Sequence, residues 1–141
     1  MLATSFVATA QKSKNILPGA YQTEKYFPLL KGKRVSLFTN QTATINGKHL
    51  IDTLKAAGIQ IQKIFTPEHG LRGTADAGEK VSDEIDPKTG IKIVSLYGKK
   101  SAPDANDLSD VDIMLFDVQD VGTRFYTYIN SLQYYMEAAM A

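Results

Sequence analysis

The amino-acid sequence predicts an α/β domain, with an open, mainly parallel sheet and helices on both faces. From Gly32 onward, short apolar runs alternate with polar connections that contain glycine. A strand, a helix and a second strand follow one another between Arg34 and Phe65, the βαβ order of a parallel pair. A later run, Val111–Val118, is apolar on both faces, which is typical of a strand covered by helices on both sides.

The first half of the chain supplies the βαβ unit. Arg34–Thr39 is rich in β-forming residues and stops at Asn40, which predicts a strand. Lys48–Ala57 has apolar residues at helical spacing, and Gly58 is a suitable C-terminal stop for a helix. Ile59–Phe65 alternates apolar and polar residues before its apolar end and predicts the second strand.

The second half is predicted to add two strands and a helix. Ile91–Tyr97 is the third predicted strand, and Val111–Val118 is the fourth, expected at the centre of the sheet. Phe125–Ala141 is predicted to be a helix because its apolar residues fall on one stripe. The connections 67–90 and 98–110 are irregular, and long loops of this kind are usually functional or mobile. The apolar stripe consists of Ile129, Leu132, Met136 and Met140.

Composition excludes several classes of function. The 141 residues suffice for one domain, and 16 Lys and Arg against 15 Asp and Glu argue against a nucleic-acid arm or a polybasic membrane patch. Without cysteine, the chain has no disulfide, thiolate metal site or Cys nucleophile, and two histidines leave little for a metal centre. No apolar run reaches 18 residues, and the glycine motifs of dinucleotide and P-loop sites are missing. We expect no metal, no cofactor, no nucleic-acid partner and no membrane span.

The two ends of the chain need separate treatment. Residues 1–14 are excluded from the fold, and two interpretations are open: a disordered tail, or the remnant of a signal peptide. The second rests on Ala8-Thr9-Ala10, which has the form of a signal-peptidase site and would place the protein in the periplasm or outside the cell. At the other end, the last helix has no glycine cap, and we expect further strands or another domain after Ala141.

Polar side chains follow each predicted strand. In an open parallel sheet, ligands bind beyond the carboxyl ends of the strands, so these segments are expected to meet at one edge. We call this edge the rim. The segments begin at Asn40, Pro67, Tyr97 and Gln119, respectively.

The segment 67–79 holds a carboxylate, an imidazole and a guanidinium close together. Glu68 is a candidate general acid or base whose pKa would be set by burial and by neighbours such as His69 and Arg72. The structural alternative is a loop in which Glu68 caps backbone amides and Arg72 makes an ordinary ion pair. A metal site of Glu68, His69 and Asp76 is a third alternative with few ligands.

The segment 119–128 is typical of a sugar-binding surface. Tyrosine rings stack on the CH faces of a sugar, and Asp, Asn and Arg bind its hydroxyl groups. Asp120, Arg124, Tyr126 and Tyr128 supply such groups here. The structural alternative is that the tyrosines pack the entry of the last helix while Arg124 pairs with Asp120. Similarly, Asn40 is either a ligand contact or a turn residue at the end of a strand.

Several of these segments together resemble one known family. The strings at 30–42, 67–73, 76–79, 95–98 and 117–128 are similar to those of the NamZ-like exo-β-N-acetylmuramidases, which are bacterial peptidoglycan hexosaminidases. The resemblance implies a Rossmann-like catalytic domain followed by a smaller C-terminal domain. It also implies release of terminal N-acetylmuramic acid from the non-reducing end of peptidoglycan fragments, so muropeptides or glycan ends are the expected partners. Members are longer than this chain, so residues 15–141 are interpreted as the N-terminal part of the catalytic domain.

The resemblance places Glu68 in the family's Pro-Glu-His-Gly motif, as the candidate catalytic acid or base. Glycosidases generally use two carboxyl groups, and Glu79 and Asp120 are the candidates for the second. A non-catalytic module that binds cell-wall carbohydrate is the competing hypothesis, and a metal-dependent hydrolase is a third. The candidate substrate-binding residues are Asn40, His69, Arg72, Asp76, Gln119, Arg124, Tyr126 and Tyr128.

Overall fold

The structure, a computed structural model, describes residues 16–73 and 84–141. Its main sheet has five strands in the order β5-β6-β4-β1-β7. All neighbours are parallel except β5 and β6, so the predicted class, a Rossmann-like α/β sheet that is mainly parallel, is confirmed. The strands are β1 Arg34–Thr39, β2 Thr44–Ile45, β3 Lys48–His49, β4 Gln60–Thr66, β5 Glu84–Ile85, β6 Lys92–Ser95 and β7 Ile113–Asp117. The helices are α1 Thr23–Leu30, α2 Leu50–Ala56, α3 Ala105–Leu108 and α4 Tyr128–Met140, and a 3₁₀ turn covers Gly19–Tyr21.

The predicted βαβ unit is β1, α2 and β4. In it, β1 and β4 are parallel, with Leu37 opposite Ile64 and Phe38 opposite Phe65. The helix begins two residues later than predicted because Lys48 and His49 form β3, which pairs with β2 in a small antiparallel hairpin. Alternate strand residues point to opposite faces, and each face carries its own apolar core.

The first core lies between the sheet and the helices α1 and α2. Val35 and Leu37 from β1 pack there with Leu50 and Leu54 from α2. The second core lies on the opposite face, where Tyr135 of α4 packs with strand residues. Helices therefore cover both faces, as predicted. The strand residues of the second core are Phe38, Phe65 and Val94, with Met114 and Phe116 against them.

The predicted central position of the fourth strand is wrong. Within the described residues, β7 lies at the edge of the sheet and pairs with β1 alone. All its residues are half-buried, although its sequence is apolar on both faces. An apolar pattern on both faces of a strand indicates that both faces are covered. It does not indicate whether one strand or two pair with it.

The last predicted helix is confirmed as α4, and most of its apolar stripe is exposed. Ile129, Met136 and Met140 are 60%, 58% and 81% exposed, whereas Tyr135 is 3% exposed. The Tyr135 ring lies against Phe38 and Phe65 at centroid distances of 5.5 and 5.7 Å. Tyr135 packs inward because its hydroxyl has a partner inside the sheet: Ser36 Oγ, at 2.7 Å. The apolar spacing correctly predicts the helix. The buried Ser36–Tyr135 hydrogen bond explains why the Tyr135 side of the helix packs against the sheet.

No helix within residues 16–73 or 84–141 is long and apolar enough to cross a membrane. Within the irregular connection 98–110, the short helix α3 begins with a capping box between Asp104 and Asp107. Helix α1 lies in a part of the chain for which no element was predicted. Its sequence contains Pro28, a residue that argues against a helix interior.

We predict that Tyr135→Phe destabilises the fold by about 1–2 kcal/mol, because it leaves the buried Ser36 hydroxyl without its partner. Urea denaturation measures the change in the free energy of unfolding. Tyr134→Phe is the matched control, since Tyr134 is its neighbour on α4 and is exposed. Equal stability of the two variants would contradict the assigned role of the Ser36–Tyr135 hydrogen bond.

Candidate active site at the carboxyl edge of the sheet

A row of polar side chains lies at the rim, where the first core ends. Thr39, Thr66, Ser95 and Asp117 are the last residues of four adjacent strands, and Thr39 lies opposite Asp117 while Thr66 lies opposite Ser95. All four follow residues of the second core, so they point to the opposite face. We call them the polar row. Among the described residues, Thr66 Oγ1 and Asp117 Oδ2 are buried without a hydrogen-bond partner, and burial raises the pKa of Asp117.

Asn40 anchors the loop that follows the central strand β1. It is 1% exposed, and its side-chain oxygen accepts hydrogen bonds from the Thr42 backbone N–H at 3.0 Å and the Thr42 hydroxyl at 2.7 Å. The turn-residue interpretation of Asn40 is therefore correct for Oδ1. Its Nδ2 has no partner of good hydrogen-bond geometry within the described residues. Asn40 thus has one atom that fixes a turn and one buried donor at the rim.

His49 supports Asn40 from the start of α2. Its Nε2 lies 2.9 Å from the Asn40 carbonyl oxygen, and a carbonyl only accepts, so Nε2 carries the proton. Its Nδ1 then accepts from the Ile51 backbone N–H at 3.2 Å and caps the helix. Burial lowers the pKa of His49, although the hydrogen bond to Asn40 opposes this shift. His49 is structural, as its position beside the apolar stripe of the helix indicates.

Glu68 lies half-buried two residues after the end of β4. The Tyr97 hydroxyl donates a hydrogen bond to Glu68 Oε1 at 2.8 Å, which joins the segment after β6 to the segment after β4. The next residue, His69, has a φ of 71°, an uncommon conformation for a residue with a side chain. Such backbone strain is found most often at functional sites.

Tyr128, in the first turn of α4, lies close to Asn40 and Glu68. Burial raises the pKa of its phenol, the Asn40 amide opposes the rise, and the fields of Tyr126 and Glu68 add to it. The Tyr126 and Tyr128 rings meet edge to face with centroids 5.7 Å apart. Tyr126 itself is 48% exposed. Asn40, Glu68, Tyr97 and Tyr128 thus come together from four different segments of the chain.

The segment between β7 and α4 carries the more exposed candidates. The Gln119 backbone N–H donates to Thr42 Oγ1 at 3.4 Å, which ties this segment to the Asn40 loop. Asp120 is exposed and accepts from the Gly122 backbone N–H at 2.6 Å, so it fixes a tight turn. Arg124 is exposed, and no hydrogen bond or ion pair among the described residues joins it to Asp120. The roles of Gln119, Asp120 and Arg124 toward a substrate stay predictions.

Arg72 makes the ion pair that the structural alternative expected. Its Nη2 lies 3.1 and 3.2 Å from the two carboxylate oxygens of Asp86, which is 1% exposed. Burial works to raise the pKa of Asp86, but hydrogen bonds from Thr89 and Arg72 outweigh it and hold that pKa below its ordinary value. Arg72 therefore fastens the segment after β4 to the turn that follows β5. Its predicted contact with substrate stays a prediction.

Two candidates, Asp76 and Glu79, lie outside the described residues, so the structure says nothing of their positions. The structure also does not test the assignment of His69 to substrate binding. Across residues 16–73 and 84–141, no group of three His, Asp or Glu side chains is arranged to hold a metal ion.

One cavity lies away from the rim. It has a volume of about 680 Å³ and lies between α3 and the end of α4, with Pro103, Leu108 and Met114 among its lining residues. Its two acidic residues already have partners: Asp104 pairs with Lys100, and Asp112 pairs with Arg34. The acidic side chains that line this cavity are already paired, whereas several candidate catalytic and binding side chains meet at the rim.

Two features of the rim were not among the predicted site residues. Tyr97 was placed at the rim but given no role, and its contact with Glu68 depends on a loop conformation that spacing does not reveal. The polar row has a signal in the sequence, because Phe38, Phe65, Val94 and Phe116 are each followed directly by Thr, Ser or Asp. The residues of the polar row therefore lie where the apolar core ends and the rim begins.

Comparison with known proteins identifies the family. Residues 35–141 match the family model described as exo-beta-N-acetylmuramidase NamZ, N-terminal. The chain belongs to the NamZ family. It is 49% identical over 116 residues to the peptidoglycan beta-N-acetylmuramidase NamZ of Bacillus subtilis strain 168, and this match covers 81% of the chain and 28% of the relative.

Two crystal structures of DUF1343 family proteins from Bacteroides fragilis NCTC 9343 share the fold. One superposes with a TM-score of 0.72 and 42% identity over 86% of this chain, and the other with 0.73 and 39% over 83%. The matches cover 30% and 29% of those proteins. The chain therefore spans less than a third of the length of these NamZ and DUF1343 proteins.

We predict that stability falls as pH is lowered from about 7 toward 5, because protonation of His49 removes the Nδ1 acceptor that caps α2. The folded-state pKa of His49 is depressed, so its contribution is complete above its unfolded value of about 6.5 and is lost as pH falls. His49→Asn keeps a capping acceptor but does not titrate, so its stability should vary less with pH over this range. Chemical denaturation across the pH series measures both slopes, and equal slopes would refute the assignment.

Proposed function

We propose that this chain forms the rim of a glycoside hydrolase that releases terminal N-acetylmuramic acid from the non-reducing end of peptidoglycan fragments. Glu68 is its catalytic acid or base. The observation that carries the proposal is the position of Glu68: it lies half-buried at the rim, hydrogen-bonded to Tyr97, in a chain of the NamZ family. The Bacillus subtilis relative is named as a peptidoglycan beta-N-acetylmuramidase, which supports the same class of reaction here.

The chemistry requires a proton at the glycosidic oxygen and a second group at the anomeric carbon. A carboxyl that is partly removed from water and held in one orientation suits either role. Glu68 meets both conditions at the rim, because it is half-buried and its Oε1 is fixed by Tyr97. Glu79 and Asp120 remain the proposed sources of the second carboxyl, and Asp120 is the one whose position is described.

The groups around Glu68 suit a sugar. Tyr128 lies near the carboxylate with the Tyr126 ring against it, and the buried Nδ2 of Asn40 is a proposed donor for a ligand oxygen. His69, Arg72, Gln119 and Arg124 are proposed to complete the contacts to hydroxyl and carboxylate groups of the substrate. The reaction as proposed needs no metal or cofactor.

We predict that Glu68→Gln lowers kcat/KM by at least 100-fold on a chromogenic N-acetylmuramic acid glycoside, because the amide neither gives nor takes the catalytic proton. Since the relatives are about three times longer, the assay uses the chain alone and the chain joined to the C-terminal remainder of the Bacillus subtilis relative. Glu137→Gln is the matched control, an exposed glutamate on α4 that should leave turnover unchanged.

Three outcomes separate the hypotheses. Near wild-type turnover of Glu68→Gln in an active protein would contradict the role of Glu68. Muropeptide binding in a calorimeter, with no product from either form, would favour the non-catalytic carbohydrate-binding module. Loss of activity with a chelator and its return with added metal would favour a metal-dependent hydrolase.

A further inference from the structure

Among the described residues, Tyr97 contacts Glu68 directly at the rim and has no assigned role. It follows β6 by two positions, so it comes from a different strand end than Glu68. Its hydroxyl donates to Glu68 Oε1 at 2.8 Å, and its ring is 36% exposed. This hydrogen bond holds the Tyr97 hydroxyl against Glu68.

The hydrogen bond has two physical consequences for Glu68. It fixes one carboxylate oxygen, and so restricts the rotation of the carboxyl group. It also favours the ionised carboxylate over the neutral acid, because a hydrogen bond donated to the charged form stabilises that form. The same pairing acts on the partner: the hydrogen bond to Glu68 and partial burial raise the pKa of Tyr97.

A second phenol, Tyr128 from α4, also faces Glu68. The field of Glu68 contributes to the raised pKa of Tyr128, after the larger effect of burial. Tyr128 is also close to the Asn40 amide, so its position is set by the end of β1. Tyr97 and Tyr128 therefore approach Glu68 from different elements, and Tyr97 is the one with a defined hydrogen bond to it.

We propose that Tyr97 is a positioning residue for Glu68: by donating a hydrogen bond it orients the carboxyl group and favours its ionised form. This inference rests on the proposed catalytic role of Glu68. Tyr97 acts through Glu68 and needs no contact with substrate. Its removal should therefore change kcat and its pH profile more than KM.

The contact itself can be tested without any activity. NMR of the chain labelled with ¹³C at the tyrosine ζ carbon follows each phenol, and Tyr97→Phe identifies the Tyr97 signal. Tyr97 should titrate above its ordinary value of about 10 in the wild type and closer to that value in Glu68→Gln. An identical titration of Tyr97 in the two proteins would overturn the proposal.

The role is tested by kinetics on the joined protein described above. Tyr97→Phe should lower kcat about 10-fold with little change in KM, and should move the limb of the pH profile that reports Glu68 to higher pH. Tyr134→Phe, an exposed tyrosine on α4, should leave both unchanged. An inactive Glu68→Gln together with a Tyr97→Phe of normal kcat and pH profile would overturn the role of Tyr97 alone. An active Glu68→Gln would instead overturn the proposed function, and the role of Tyr97 with it.

Discussion

The parallel register of β1 with its two neighbours determines where every group of the site lies. Phe38 lies opposite both Phe65 and Phe116, so the residues that follow these three begin at one level of the sheet. Asn40 and Glu68 are then one and two residues beyond the last strand residues. Because side chains alternate between faces, a shift of one residue in β4 would exchange its two faces and change the side to which Thr66 points. The packing of Phe38 and Phe65 against Tyr135 fixes that register.

Several polar residues are buried at the rim of the sheet. In four strands an apolar residue is followed by a polar last residue: Thr39, Thr66 and Ser95 are buried, and Asp117 is half-buried. Within the described residues, Thr66 Oγ1 and Asp117 Oδ2 lie buried without partners, which costs stability in the absence of a compensating hydrogen bond. Buried groups of this kind in a folded protein usually have a functional reason. Their concentration at the strand ends that carry Asn40 and Glu68 agrees with a binding role for this edge.

Sequence reasoning predicted the βαβ unit, the parallel class and the end of the sheet where the polar groups meet, because these depend on periodicity and strand direction. It misplaced β7 at the centre, since an apolar strand reports its two covered faces and not its edges. It did not identify Tyr135 as the buried residue of α4, because the Ser36–Tyr135 hydrogen bond joins residues 99 positions apart. It gave Tyr97 no role for the same reason: contacts between loops depend on conformations such as the positive φ of His69. The family resemblance supplied what spacing lacked, a reason to choose Glu68.

One measurement tests most directly whether the strand ends form a single ligand site. Amide and aromatic NMR spectra of the 141-residue chain are recorded during titration with N-acetylmuramic acid. A site at the rim predicts shifts of Asn40, Glu68, Tyr97 and Tyr128 that saturate together, with the same dissociation constant. Shifts confined to the cavity between α3 and α4, around Leu108 and Met114, would contradict it.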